Sequence, residues 1–203
     1  MPRIAIIVGS TRPGRRAESV ARWVHRVASG GDRAHVEVVD LAEYGLPILD
    51  EPAPAAMGTY AHEHTRRWAD AIASYDGYVF VAPEYNHSLP AALKNAIDYL
   101  YSEWGDKAAG LVTYGLQGGV RAGEHLRLVL AELKIADVRT HVALSLRDDF
   151  RFDDPRQPDT LTPPRHQEVL LLRLLDEVAD WSEALAQLRR GAAGAARKLE
   201  ARA

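Results

Sequence analysis

A short segment near the N-terminus has the residue types that bind an anion. It reads Gly9-Ser10-Thr11-Arg12-Pro13-Gly14-Arg15-Arg16. Its glycines let the backbone approach a ligand, its two hydroxyl side chains can donate hydrogen bonds, and its three arginines bring positive charge. A helix that follows such a loop adds N–H groups that favour phosphate. This segment, the first loop, is predicted to bind a phosphate through Ser10, Thr11, Arg12, Arg15 and Arg16.

The spacing within the first loop separates the possible kinds of phosphate ligand. Gly9 and Gly14 have the separation of the P-loop glycines, but Arg15-Arg16 stands where a P-loop has lysine followed by serine or threonine. The hydroxyl that would bind magnesium is therefore missing. The G-x-G-x-x-G pattern of dinucleotide loops is missing too. A monophosphate fits best, and the alternative is a plain turn with solvated arginines.

Two later segments have the composition of ligand-binding loops. The second loop is Pro83-Glu84-Tyr85-Asn86-His87-Ser88-Leu89-Pro90, and the third loop is Gly115-Leu116-Gln117-Gly118-Gly119-Val120-Arg121. Backbone groups in the second loop can read the edge of a flat heteroaromatic ring, while Tyr85 supplies a plane to stack on it. The glycines of the third loop allow close approach from the opposite side. Taken alone, either loop is also compatible with an ordinary turn.

Five apolar runs rich in β-branched residues indicate the elements that position these loops. The runs are Ile4–Val8, Val36–Val39, Tyr78–Ala82, Leu111–Tyr114 and Val138–Leu144. Most are continuous rather than alternating, which is typical of strands covered on both faces. Segments with a helical period lie between them, so the pattern predicts an α/β protein with a mostly parallel sheet. The three loops would then emerge at the carboxyl ends of strands, on one edge.

Composition excludes several other classes of protein. The chain has 203 residues, no cysteine, and 25 lysines and arginines against 28 aspartates and glutamates, for a net charge of −3. Disulfides, thiolate metal sites, iron–sulfur clusters and catalytic thiols are therefore excluded. The slight acidity argues against nucleic-acid binding, and no apolar run approaches the length of a membrane span. We expect a cytoplasmic protein with one domain over residues 1–190 and a frayed tail over 191–203.

Together, the three loops resemble the NADPH-dependent FMN reductase family of flavodoxin-like proteins. The resemblance covers about residues 3 to 145, and its most specific part is the second loop with the following Leu93-Lys94-Asn95-Ala96-Ile97-Asp98. It implies a flavodoxin-like three-layer sandwich around a five-stranded parallel sheet in the order 2-1-3-4-5. It also implies FMN as cofactor, NADPH or NADH as co-substrate, and a homodimer or homotetramer.

The resemblance also implies roles for individual residues. Ser10, Arg12 and Arg15 would hold the FMN phosphate, with Thr11 and Arg16 beside them. Family members with a short Gly-Ser-x-Arg-x-x-Ser loop have serine where this chain has Arg15. The isoalloxazine and ribityl groups would contact Pro83, Glu84, Tyr85 and Asn86, and the opposite edge of the flavin would be lined by Tyr114, Gly115 and Gly118.

The implied activity is an NAD(P)H-dependent oxidoreductase. Hydride would pass to bound FMN and electrons onward to free flavin, a quinone, an azo compound or a similar acceptor. This chemistry belongs to the cofactor, so no side chain is assigned as catalytic. A flavodoxin-like electron carrier and a non-redox FMN-binding protein are the alternatives. The charge of −3 argues mildly against a carrier, because such carriers are strongly acidic.

Histidines and acidic residues elsewhere suggest no metal site. His62 and His64 stand two apart at a helix start, where side chains diverge, so both are interpreted as solvated. The aspartates between residues 148 and 154 are interpreted as a solvated loop paired with arginines. His87 is either a proton donor beside the ring or a cap of its own loop. Trp104 belongs either to the core or to a subunit contact.

Overall fold

The computed structural model describes residues 1–152 and 160–200, including side chains up to residue 191. At its centre lies a five-stranded sheet, whose strands are β1 (Arg3–Val8), β2 (His35–Asp40), β3 (Gly77–Pro83), β4 (Lys107–Gly115) and β5 (Ile135–Ser145). Their order is β2-β1-β3-β4-β5, and every neighbouring pair is parallel. The predicted flavodoxin-like strand order is therefore confirmed.

The position of each strand in the sheet explains its sequence pattern. β3 and β4 are buried at every residue, and β1 at all but its first, because layers of helix cover both faces. β2 and β5 lie at the two edges and keep several partly exposed residues. All five predicted runs form strands, and each strand extends past its run.

Helices cover the sheet in two layers. On one face lie α1 (Ala17–Ala28) and α5 (Arg165–Glu200), and on the other lie α2 (Glu63–Ala73), α3 (Ala91–Asp98) and α4 (Val120–Glu132). The loop after β1 leads to the first layer, whereas the loops after β3 and β4 lead to the second. The fold is the expected three-layer sandwich.

Trp104 lies beyond the end of α3. α3 stops at Asp98, and the residues that follow form turns. Trp104 is nevertheless fully buried, with its ring 6.0 Å from that of Trp68 and 5.0 Å from that of Tyr78, centroid to centroid. Its place is in the core, and the subunit-contact interpretation is wrong.

Two interpretations of polar residues are wrong in part, because the rings of His62 and His64 do not diverge and Asp149 is not solvated. His62 precedes α2 in extended backbone, so its ring is not held at helical spacing and stacks on that of His64, with centroids 5.2 Å apart. His64 Nε2 lies 3.1 Å from Asp50 Oδ1. Asp149 is buried rather than solvated and accepts a hydrogen bond from the Ser145 amide at 2.6 Å. The neighbouring Asp153 and Asp154 lie outside the described residues.

The remaining segments contain short elements. Two 3-10 helices, Leu41–Tyr44 and Ala55–Met57, interrupt the predicted loop after β2, and a small hairpin pairs β6 (Phe150–Arg151) with β7 (Thr160–Leu161). α5 continues to Glu200, so the frayed tail over 191–203 stays a prediction. In the described part of the chain, no helix is long and apolar enough to cross a membrane.

Candidate functional site

The three loops meet at the carboxyl end of the sheet, as the sequence predicts. Ser10 Oγ in the first loop lies 2.8 Å from the hydroxyl oxygen of Tyr85 in the second. The Glu84 amide donates to the carbonyl oxygen of Tyr114, at the end of β4, at 2.9 Å. The second loop is therefore bonded to both of its neighbours, and the three form one surface.

Close backbone packing shapes the start of the first loop. The Gly9 amide donates to the carbonyl oxygen of Val81 at 2.8 Å, and a Cβ at Gly9 would stand only 2.9 Å from that oxygen. Only glycine fits there. Ser10 follows with its side chain fully buried, and Gly14 turns the chain with a φ of +67° before α1 begins.

Several groups of the first loop have no partner within residues 1–152 and 160–200. The backbone N–H groups of Thr11 and Gly14 donate to no acceptor among the residues that the structure describes. The Arg12 guanidinium is exposed and forms no ion pair or side-chain hydrogen bond within those same residues. Because α1 starts just beyond, its N-terminal dipole adds positive potential here. The arrangement suits an anion.

The other two arginines of the first loop are engaged by the protein. The Arg15 guanidinium bonds to the carboxylates of Asp40 at 2.5 Å and Glu18 at 2.9 Å, and its side chain is only 12% exposed. The Arg16 guanidinium lies over the ring of Phe152, 5.3 Å from its centroid. The positive charge of Arg15 is thus balanced in this arrangement, and that of Arg12 is not.

A tight turn forms the tip of the second loop. The amides of Tyr85 and Ser88 each donate to the other's carbonyl oxygen, at 2.9 and 3.1 Å. Asn86 and His87 between them have φ values of +49° and +68°, as in a type I′ turn. His87 is exposed and its side chain bonds to no other described residue, so it does not cap the loop.

The third loop is a glycine turn packed tightly on β4. The Gly118 amide donates to the carbonyl oxygen of Gly115 at 3.1 Å, and a Cβ at Gly119 would lie 2.8 Å from the Tyr114 amide nitrogen. Between Gly115 and Gly118, the amides of Leu116 and Gln117 donate to no group in the described part of the chain. The loop therefore presents open N–H groups at the same edge as the first loop.

A scan against protein-family models decides the family. The model described as NADPH-dependent FMN reductase matches residues 2–149. The chain belongs to this family. The expected cofactor FMN and the expected reductant NAD(P)H follow from that membership, and the predicted NAD(P)H-dependent FMN oxidoreductase is confirmed.

The names of individual relatives of this FMN reductase family member agree with the family assignment. The chain is 44% identical over 149 residues to an NAD(P)H-dependent FMN reductase of Nectria sp, covering 68% of this chain and 74% of the relative. It is 31% identical over 186 residues to a quinone reductase of Pseudomonas putida, covering 88% and 93%. A flavoenzyme NAD(P)H:(acceptor) oxidoreductase of Paracoccus denitrificans has the same fold, with a TM-score of 0.69 at 22% identity over 91% of this chain and 98% of that one.

Two residues that the resemblance implies as FMN contacts have side chains that the protein itself engages. The Tyr114 ring is buried on the α1 and α5 face, 6.1 Å from the ring of Phe150, and burial raises the pKa of its hydroxyl. The Glu84 carboxylate accepts hydrogen bonds from Arg121 Nη1 at 2.8 Å and from the Arg121 amide at 3.1 Å. Glu84 therefore clamps the second loop to the third.

Sequence reasoning missed two side chains at this site in the reductase. Arg121 was part of the family resemblance, but nothing in the sequence pairs it with Glu84, 37 residues earlier. His125 on α4 forms a hydrogen bond with Ser88, with Nδ1 and Oγ 3.0 Å apart. Its only sequence signal is its place on the helix that follows the third loop, one turn beyond Arg121.

Proposed function

We propose that this flavoenzyme binds FMN across the three loops and passes electrons from NAD(P)H to a quinone-type acceptor. One observation carries the placement of the cofactor. The exposed Arg12 guanidinium has no partner among the described residues and stands in the same short loop as the buried hydroxyl of Ser10. An arginine left with unsatisfied donors beside open amides is what a phosphate requires.

At the phosphate end, Ser10, Thr11 and Arg12 would make the main contacts, together with the amide of Gly14. Arg15 and Arg16 are also proposed as phosphate contacts, because of the family resemblance. Arg15 would have to share its guanidinium with Asp40 and Glu18, which already neutralise it. We therefore expect Arg12 to contribute more to phosphate affinity than Arg15.

At the ring end, the second and third loops would orient the flavin. Pro83, Gly115 and Gly118 offer backbone surface, Asn86 offers an exposed side-chain amide, and Tyr85 offers an aromatic plane that is 37% exposed. Glu84 and Tyr114 would act through their backbone, since their side chains are bound elsewhere. When bound, FMN supplies the hydride and electron chemistry, so the protein needs to position the ring and requires no side-chain acid or base.

A quinone-type acceptor is supported by two observations. Relatives that carry the name quinone reductase match most of this chain at about 31% identity. At the tip of the third loop, Leu116 is 65% exposed, and Tyr85 in the second loop is 37% exposed. Apolar and aromatic surface of this kind suits a flat, uncharged acceptor.

The test measures the absorbance spectrum of the bound flavin. The purified protein, loaded with FMN, should bleach anaerobically when NADPH or NADH is added, and a quinone should restore the oxidised spectrum faster than an azo dye or free FMN. Flavin that stays oxidised under both nucleotides would favour an electron carrier or a non-redox protein. A protein that takes up no FMN would contradict all three.

Two further properties are proposed and await their own measurements. A homodimer or homotetramer is supported by exposed apolar side chains in the loop after β2, where Ile48 is 89% and Leu49 is 45% exposed. Light scattering after gel filtration measures this state directly. A cytoplasmic location follows from the composition of the chain, and cell fractionation tests it.

A further inference from the structure

A buried threonine and a half-buried histidine beside the third loop are not among the proposed cofactor contacts. Thr113, in β4, is fully buried, and its Oγ1 lies 2.7 Å from the carbonyl oxygen of Gly118 and 2.7 Å from His141 Nε2. A carbonyl oxygen can only accept, so the Thr113 hydroxyl donates to Gly118. The threonine oxygen must then accept from His141, which places the imidazole proton on Nε2.

The surroundings of His141 keep it in that neutral form. Burial, together with the nearby positive charge of Arg127, lowers the pKa of His141 to about 4, and Glu124 opposes this shift. At neutral pH the ring is therefore an uncharged imidazole with its proton on Nε2. The hydrogen bonds therefore run in one direction, from His141 through Thr113 to the carbonyl oxygen of Gly118.

The helix that covers His141 is built around the imidazole. A Cβ at Gly123 in α4 would lie 2.6 Å from His141 Cε1, so no larger residue fits there with the ring in place. Glycine inside a helix is unfavourable. The chain nevertheless places glycine in the α4 turn that faces the ring.

The third loop needs such an anchor because of its own composition. Gly118 and Gly119 have φ values of +74° and +71°, and neither has a side chain that could fix its peptide plane. The turn from Gly115 to Gly118 contains the amides of Leu116 and Gln117, which have no partner in the part of the chain that the structure describes. Fixing the Gly118 carbonyl therefore fixes the turn that carries these donors.

We propose that Thr113 and His141 are positioning residues for the flavin, which fix the Gly118 carbonyl and thereby aim the open amides of the third loop. Neither residue touches the cofactor. Amides held toward the reduced flavin would stabilise its negative charge and so raise its midpoint potential. This inference rests on the proposed placement of FMN at the three loops.

The test replaces Thr113 by valine, which keeps the shape and removes the hydroxyl. We expect Thr113→Val to bind FMN about tenfold more weakly and to shift the midpoint potential of the bound flavin to more negative values. Thr113→Ser keeps the hydroxyl and should restore both. His141→Leu should weaken FMN binding in the wild-type background but add little to Thr113→Val, because the two residues act in one chain of hydrogen bonds.

A matched control separates positioning from general stability. Thr140 is a second buried threonine, and its hydroxyl donates to Glu177 Oε1 at 2.6 Å on the α5 side of the sheet. Thr140→Val should lower Tm without changing FMN affinity or potential. If Thr113→Val behaves like Thr140→Val, the positioning role is contradicted. If the wild-type protein takes up no FMN, the proposed function fails first, so the two failures are distinguishable.

Discussion

At the amino end of the parallel sheet, charged side chains bond to one another and to buried carbonyl groups. At the carboxyl end, one arginine and several amides have no partner among the described residues. At the amino end, Lys107 Nζ donates to the carbonyl oxygen of Ile72 at 2.8 Å and to the hydroxyl oxygen of Tyr78 at 3.0 Å. Arg189 pairs with Asp76 at 2.6 Å. At the carboxyl end, Arg15 pairs with Asp40 and Glu18, and Arg121 pairs with Glu84.

The difference shows what turns a charged cluster into a binding site. Both ends concentrate charge, but at the amino end the donors of Lys107 and Arg189 are used within the fold, so that end is closed. At the carboxyl end, the unused donors of Arg12, Thr11 and Gly14 are available to a ligand. Counting arginines in a sequence does not separate these cases, because the partners come from distant elements.

The largest expected effect concerns the closed end. Burial lowers the pKa of Lys107 from 10.5 to about 8, and the side chain is only 5% exposed. Between those pH values the unfolded chain binds more protons than the folded one, so the free energy of unfolding should rise with pH, by up to ~3 kcal/mol from this residue. Above pH 10 the raised pKa of Tyr78 has the opposite effect and should lower the free energy of unfolding as pH rises.

Urea unfolding between pH 7.5 and 10 measures this rise. It should disappear in Lys107→Met and persist in Lys94→Met. Lys94 is the matched control because it is a more exposed lysine that pairs with Asp98 on α3 at 2.6 Å. Parallel pH curves for wild type and Lys107→Met would show that the amino end does not hold a proton-linked charge.

The second prediction contrasts the two arginines of the open end. Arg12→Ala should weaken FMN about 30-fold, or ~2 kcal/mol, because a charge-assisted bond to phosphate is lost. Riboflavin, which lacks the phosphate, should lose little affinity. Arg15→Ala should instead lower Tm, because Asp40 loses its partner, with a smaller change in the FMN to riboflavin ratio. Titration of both flavins with all three proteins provides the comparison.

Either of two results would contradict that contrast. Equal losses of FMN and riboflavin affinity in Arg12→Ala would place the phosphate elsewhere. A larger loss of FMN selectivity in Arg15→Ala than in Arg12→Ala would mean that the ligand takes Arg15 away from Asp40 and Glu18. The contrast between paired and unpaired arginines would then not predict the binding group.

Much of this arrangement could be predicted from the sequence. The continuous apolar runs of β1, β3 and β4 predict strands covered on both faces, and parallel strands bring the loops that follow them to one edge. What escaped prediction depends on contacts between distant residues. The pairing of Arg15 with Asp40 joins the first loop to the end of β2, and that of Glu84 with Arg121 joins two loops.

One missed feature had a usable signal. Side chains alternate between the two faces of a strand, and Val112 and Tyr114 lie on the α1 and α5 face, whereas Leu111 and Thr113 face the α4 layer. Alternation along β4 therefore separates Tyr114 from Thr113. The positive φ of His87 had no such signal, because the usual turn of this type contains glycine at that position.

The third prediction loosens the link between the second and third loops. Arg121→Ala removes the guanidinium from Glu84 but leaves the backbone bond from residue 121. We expect about fivefold weaker FMN binding, or ~1 kcal/mol, because the ion pair is partly exposed. Arg173→Ala, which breaks an exposed pair with Glu177 on α5, should leave FMN affinity unchanged. Identical FMN affinity in both variants would show that the clamp does not shape the site.

The fourth prediction, with an expected effect no larger than the third, tests whether a ligand completes the open end. The hydroxyls of Ser10 and Tyr85 bond to each other at 2.8 Å, and Ser10 is fully buried. Tyr85→Phe leaves the Ser10 oxygen with the Arg12 amide, at 3.4 Å, as its remaining partner among the described residues of the FMN-free protein, which should cost about 1 kcal/mol and lower Tm by a few degrees. With FMN bound, the phosphate supplies a partner, so Tm should fall less. Tyr75→Phe, which loses a bond to Glu37 at the closed end, should lower Tm equally in both forms. If Tyr85→Phe also lowers Tm equally with and without FMN, then Ser10 does not contact the phosphate, and the open end is not completed there.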